Sequence, residues 1–260
     1  MSDDSTQRAR LGFRDGLNGP HAARTMMLAD LRALLAHLPP DATRADYAQA
    51  VVSDNVLGKA TRVTRSLSLR YLSALYGLDP ANPLFRQMRR LWSVQADGQP
   101  LLALTMALAR DPLLRASRAL VVDLPIGAEV DREAFEGVLA RAFPERFSPA
   151  SLRSFAQNVG GTWTEAGFLS GRRRKLRVVP HVTPEVLAFA LFLGHLEGRS
   201  GQGLFSSAWV SLFPCVPSEL DALATSAAHK GELVFMKAGG VVELRFPGAL
   251  TPDEQALLRG

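Results

Sequence analysis

Apolar positions recur along this chain mostly at helical spacing. In HAARTMMLADLRALLAHL (His21–Leu38), Met27, Leu28, Leu31, Leu34, Leu35 and Leu38 share one stripe, predicting a helix that Pro39-Pro40 ends. The preceding residues 1–10 are polar and read as a frayed tail. Asp41 or Thr43 caps a second helix, ADYAQAVVSD, which stops near Asn55–Gly58. A third runs from about Lys59 to Tyr76 and is closed by Gly77. Pro83–Trp92, Pro100–Ala109 and Pro112–Arg118 continue the helical pattern. ALVVDLP (Ala119–Pro125) is the first β-branched run and predicts a short strand or a buried linker. A boundary there gives an N-terminal helical domain, 1–122, and a C-terminal domain, 123–260.

In the second half, Asp131 caps a helix to about Phe143, and Ser148-Pro149 supplies an N-cap and a first-turn proline for a helix to about Gly160. Gly167 and Gly171 break the chain before KLRVVPHV (Lys175–Val182), which alternates in part like a strand. Thr183-Pro184-Glu185 starts a helix through Leu196, and GRSGQG (Gly198–Gly203) reads as a flexible loop. Ser218–His229 is helical, and ELVFMKAGGVVELRF (Glu232–Phe246) predicts a hairpin turning at Gly239-Gly240. The expected fold class is mainly α: a helical bundle with helix-turn-helix and winged-helix features and one or two short β-hairpins.

Composition narrows the function. With 47% apolar and 21% charged residues, the 260-residue chain is no disordered polymer. A single cysteine, Cys215, excludes an intramolecular disulfide framework. No apolar run reaches the roughly 18 residues that span a bilayer. MSDDSTQRAR lacks the apolar core of a signal peptide, so a cytoplasmic protein without a membrane partner is expected.

The net charge of +5 is modest, but it is carried by 26 arginines and only 4 lysines and is unevenly placed. Asn55–Leu91 holds seven basic residues and one acid, Asp79. Arg146–Arg177 holds seven more against Glu165 alone. On a helical wheel Lys59, Arg62, Arg65 and Arg70 fall within an arc of roughly 140°, while Val63, Leu67, Tyr71 and Leu75 take the neighbouring arc expected to face the core. With the preceding helix and the Asp54–Gly58 turn this forms a helix-turn-helix pattern, whose second helix enters a major groove. In the second cluster, Arg153 and Gln157 lie on a candidate recognition helix. Asn158 joins them on its exposed arc as a second side chain able to read adenine. Arg172, Arg173, Arg174, Lys175 and Arg177 then form a wing for the phosphate backbone. The helix and hairpin of Ser218–Phe246 lack this charge and read as structural or protein-binding.

Other chemistry finds no pattern. No G-x-x-x-x-G-K-[ST] or G-x-G-x-x-G occurs. The five histidines are scattered singly, and no carboxylate set suits a metal. Cys215 in FPCVP lacks a nearby base, so no cofactor, metal or catalytic residue is assigned.

The stretches DNVLGKATRVTRSLSLRYLSALYGL, LLALTMALARDPLLRAS, SPASLRSFAQNVGGTWTEAGFLSG and VTPEVLAFAL, in this order, resemble the BrxA component of BREX bacteriophage-defence systems. The resemblance covers roughly Asp54–Ala190, and this chain is longer than typical members. It implies a small, mostly helical DNA-binding protein with a winged-helix-like part and a bundle part. The segment with Asn55, Lys59 and Thr61 and the Ser148–Gly171 region are the corresponding ones. The expected function is non-catalytic binding of double-stranded DNA within phage defence, with other defence proteins as further partners. A scaffold docking an acidic protein partner and an RNA-binding helical protein are the alternatives.

Overall fold

A computed structural model describes residues 3–92 and 96–259. In chain order its helices begin with α1 (Asp3–Arg10), a 3-10 turn at Pro20–Ala22, α2 (Leu28–His37), α3 (Arg44–Val52) and α4 (Arg62–Tyr76). Then come α5 (Pro83–Leu91), α6 (Gln99–Arg110), α7 (Pro112–Ala116) and α8 (Arg118–Val122). Strand β1 (Glu129–Val130), α9 (Arg132–Ala142), α10 (Pro149–Glu165), β2 (Leu169–Ser170) and β3 (Lys175–Arg177) follow. The chain closes with α11 (Pro184–Leu196), α12 (Pro217–His229), β4 (Val234–Ala238), β5 (Val241–Arg245) and α13 (Pro252–Arg259). The mainly helical architecture with two small antiparallel sheets is the one expected.

Helix starts follow the capping chemistry. Thr43 and Asp46 form a reciprocal capping box, and the side chains of Thr61, Asn82, Asp111, Asp131 and Ser148 each accept a first-turn N–H. At the centre lie α6 and α11, apolar on all sides and buried almost throughout, as a helix surrounded by others must be. Around them pack α4, α5, α10 and α12. One cluster of buried residues runs from Leu11 to Ala249, crossing position 122 without a break.

From α8 onward the order helix, strand, helix, helix, strand, strand, with sheet order β1-β3-β2, is winged-helix topology. Glu129 pairs with Leu176 and Leu169 with Arg177, so β3 lies in the middle of the sheet. The second hairpin turns at Gly239 and Gly240, φ +55° and +82°, the pair of left-handed residues that a tight two-residue turn demands.

Several expectations are corrected. Residues 3–10 are a docked helix, with Arg8 bonded to Asp15 and Glu197. Residues 1 and 2 lie outside the described ones. The His21–Leu38 helix begins only at Leu28, because Met27 is left-handed (φ +53°) and residues 20–22 form a separate turn. Ala119–Val122 is helical, held as the last turn of a helical corner by the Asp123 N–H bond to Ala119. The third helix starts at Arg62, leaving Lys59 in a connection of residues 53–61, too long for a tight helix-turn-helix. Helix α10 continues to Glu165. Its Gly160 faces Phe135, where an added Cβ would make an ordinary contact at 3.4 Å.

Candidate nucleic-acid interface

The wing is the turn between β2 and β3. Gly171 opens it at φ +104°, and a Cβ there would lie 2.6 Å from the carbonyl of Arg174, so only glycine fits. Arg172, Arg173 and Arg174 are all exposed; Arg174 alone faces a carboxylate, Glu129, at 3.7 Å. Beside the wing, α10 exposes Arg153, Gln157 and, half-exposed, Gly161 at i, i+4, i+8 spacing. Wing and helix enclose an open groove of about 760 Å³ lined by Gln157, Gly160 and Arg172–Lys175 on one side. The start of α9 forms the other, where Arg132 is neutralised by Glu133 and Glu136 at 2.6 and 2.7 Å.

Two wing residues have other work. Lys175 donates from Nζ to Thr164 Oγ1 at 2.7 Å and to the carbonyl of Gly171 at 3.3 Å, tying the wing to α10; burial pulls its pKa down. Arg177 is a correction: its residue is 2% exposed. Its Nε donates to the Val121 carbonyl at 2.9 Å, its Nη1 reaches the carbonyls of Phe168 and Val178, and its plane covers the Phe168 ring at 4.8 Å. Alternation along β3 turns Arg177 inward and leaves Leu176 outside, the reverse of their hydropathies. Asn158 likewise spends its amide on the His21 carbonyl at 3.0 Å.

The first basic cluster is thinner than its charge count. Lys59 pairs with Asp30 at 2.8 Å, and Arg65 donates to the Val52 carbonyl where α3 ends. Arg86 joins Glu254, Arg89 the carbonyls of Leu35 and Leu38, and Arg90 that of Glu232. Arg62 and Arg70 remain exposed without a carboxylate partner, on a stripe with Ser66. The neighbouring arc faces the core only in part: Leu75 is buried as expected, but Val63 is 69% exposed, and Ser68, Leu72 and Tyr76 complete the buried face of α4. Val63 and Leu67 instead line a shallow surface cleft with Arg62, Ser66 and Arg70.

A buried triad underlies α10. His21 Nδ1 donates to Asp111 at 2.8 Å, and its Nε2 shares a hydrogen bond with the Thr162 hydroxyl, also at 2.8 Å. The same hydroxyl accepts from the Met26 N–H. Burial raises the Asp111 pKa, but the charge and hydrogen bonds of His21 outweigh it and hold the group low. All three side chains are wholly buried, so this geometry clamps the 20–22 turn between α7 and α10 and offers no open nucleophile.

With the winged-helix order and the two basic faces in view, comparison with solved structures becomes informative. A crystal structure of SspB superposes with TM-score 0.54 at 15% identity, over 96% of this chain and 89% of that one. The chain shares a fold with SspB. The magnesium ion-bound SspB crystal structure gives the same score and identity, over 96% of this chain and 97% of SspB. Both halves of the present chain therefore fall within the SspB fold. Among the described residues no group of three or more His, Cys, Asp or Glu side chains is arranged to hold a metal ion. No family model and no curated protein matches the chain. Among the described residues no helix is long and apolar enough to cross a membrane.

Proposed function

We propose that this protein binds double-stranded DNA without catalysing a reaction, as a BrxA-like component of a bacterial phage-defence system. One observation carries the DNA reading: three exposed arginines on a glycine-pinned wing stand beside the exposed Arg153–Gln157 stripe of α10, and the wing and Gln157 line one side of an open groove together. In this arrangement wing guanidiniums take backbone phosphates, while Gln157 has the paired donor and acceptor that adenine offers in a major groove. Arg153 on α10 and Arg62 and Arg70 on α4 add phosphate contacts. Lys59, Arg65, Lys175 and Arg177 serve to hold these surfaces in shape.

Titrating labelled duplex at several salt concentrations tests it. Log affinity should fall linearly with log salt, by about 0.9 per neutralised phosphate. Reversing the wing (R172E/R173E/R174E) should weaken binding far more than R245E on the C-terminal hairpin, where Arg245 already pairs with Glu243. A flat salt response overturns the DNA reading. The defence role rests on the BrxA resemblance, and genes for a methyltransferase and a large ATPase beside this one would support it.

An adaptor role is favoured by one feature, a groove of about 470 Å³ between residues 179–184 and α12. Val179 and Val216 stand 63% and 55% exposed in this region. Under that reading the chain co-purifies with a defence protein and leaves naked duplex unshifted.

A further inference from the structure

The two basic faces are far apart in sequence, yet the segment after the buried triad joins them. Thr25 abuts α10 at the end of its exposed stripe: a Cβ on Gly161 would meet Thr25 Cγ2 at 3.2 Å. The next residue back, Arg24, is exposed and lays its guanidinium over the Tyr71 ring at 5.6 Å from the centroid. Arg70 stacks on the same ring at 5.0 Å and donates to its hydroxyl at 3.1 Å. Arg70 in turn ends the Arg62–Ser66–Arg70 stripe of α4. The surface thus reads Arg62, Ser66, Arg70, Tyr71, Arg24, Thr25, Gly161, Gln157, Arg153, with the wing alongside. None of Arg24, Arg62, Arg70, Arg153, Arg172 and Arg173 is paired with a described carboxylate.

Resting on the DNA reading above, we infer that α4 and the α10–wing unit form one continuous track for a single duplex. Arg24 and Tyr71 are its contact residues at the joint. Each nine-residue stripe spans eight rises, roughly 12 Å of helix, so the two with their joint approach the length of one duplex turn, about 34 Å. An arginine held over an aromatic ring keeps its unbonded N–H groups available to a phosphate and is partly positioned in advance, so less side-chain freedom is lost on binding. The clamp of His21, Asp111 and Thr162 immediately upstream gives this joint a rigid base.

The test uses the full chain, hairpin-closed duplexes of about 5 and about 12 base pairs, the first shorter than the track and the second just longer, and anisotropy titrations giving affinity, stoichiometry and salt slope. One protein per long duplex is expected, with the short duplex bound at least tenfold more weakly. R24A should weaken the long duplex about tenfold, as the loss of a charged hydrogen bond does, and lower the salt slope by about 0.9. The Arg24 side chain bonds only to the adjacent Ala23 carbonyl, so the fold should be unchanged, which circular dichroism checks. R62E/R70E and the wing reversal should each weaken the same long duplex. Two short duplexes per chain, one lost with each set of reversals, would overturn the single track, as would an R24A chain with unaltered affinity and slope. A wild-type chain that binds neither duplex fails at the earlier step, the DNA reading itself.

Discussion

Arg89 sits where α2 ends, its guanidinium donating to the carbonyls of Leu35 at 2.8 Å and Leu38 at 2.7 Å. Arg115 does the same for Leu108 and Ala109 at the end of α6, and Arg110 for Ser73 and Ala74 at the end of α4. Burial, reinforced by the charge of Arg14, pulls the Arg110 pKa down to about 10. Helix C-termini leave carbonyls without partners, and the fixed fork of a guanidinium spans two of them at once. This use accounts for part of the arginine excess without DNA. Arg177 belongs to the same group, so R177K should destabilise the fold by about 2 kcal/mol, whereas R172K should leave it unchanged. Urea midpoints decide, and equal values for the two variants would return Arg177 to the surface. Glu232 supplies a pH test. Burial, then the charge of Glu185, pushes its pKa from 4.5 to about 7, partly offset by Lys230 and Arg90. A raised carboxyl favours the folded state fully below pH 4.5, and that contribution is lost as pH rises through 7. The full shift would be worth roughly 3 kcal/mol. Because water reaches part of the side chain, about 1 kcal/mol is expected. E232Q should therefore match the parent near pH 4.5 and exceed it at pH 8; an equal gain at both pH values would refute the ionisation account.

At the scale of elements, the wing depends on a single backbone conformation. G171A puts a Cβ against the Arg174 carbonyl at a left-handed position. About 1–2 kcal/mol of stability should go, and duplex affinity should fall with it although no charge is touched. Retained affinity would show that wing geometry is immaterial. The capping residues explain what could be read from sequence. Thr43, Asp131 and Ser148 mark helix starts through local chemistry, and the winged region's helix, turn and basic tip follow from them. What escaped depends on tertiary contact. β1 and β2 have two residues each, too few for a period, and exist only because β3 lies between them. Of the arc Val63–Leu67–Tyr71–Leu75 only Leu75 is fully buried, while Ser68, Leu72 and Tyr76 are buried beside it, since α3, α6 and the 20–22 turn pack against α4. For the same reason no sequence signal marks Arg24 as a neighbour of Tyr71.

At the scale of the molecule, the division at 122/123 separates groups that the fold joins. Trp163 on α10 donates to Ser117 at 2.7 Å, Arg177 on β3 donates to Val121, and Thr162 completes the triad with His21 and Asp111. The first helix of the winged unit, α8, thus lies before the boundary, and α11 buries its apolar sides against α5 and α6 from the first half. A fragment 123–260 would expose the α6-facing side of α11 and leave the carbonyl-seeking Arg177 without Val121. The whole chain should therefore unfold in one transition, with fluorescence of the buried Trp163 and Trp209 coinciding with helical dichroism. Fragments 1–122 and 123–260 should each fail to give a cooperative melt alone. Two separated transitions, or a fragment 123–260 that melts cooperatively and binds duplex, would show two independent bodies. A continuous track across α4 and α10 could then no longer be rigid. A single transition keeps Arg24, Tyr71 and both stripes in one frame, which is the condition for one duplex to meet them together.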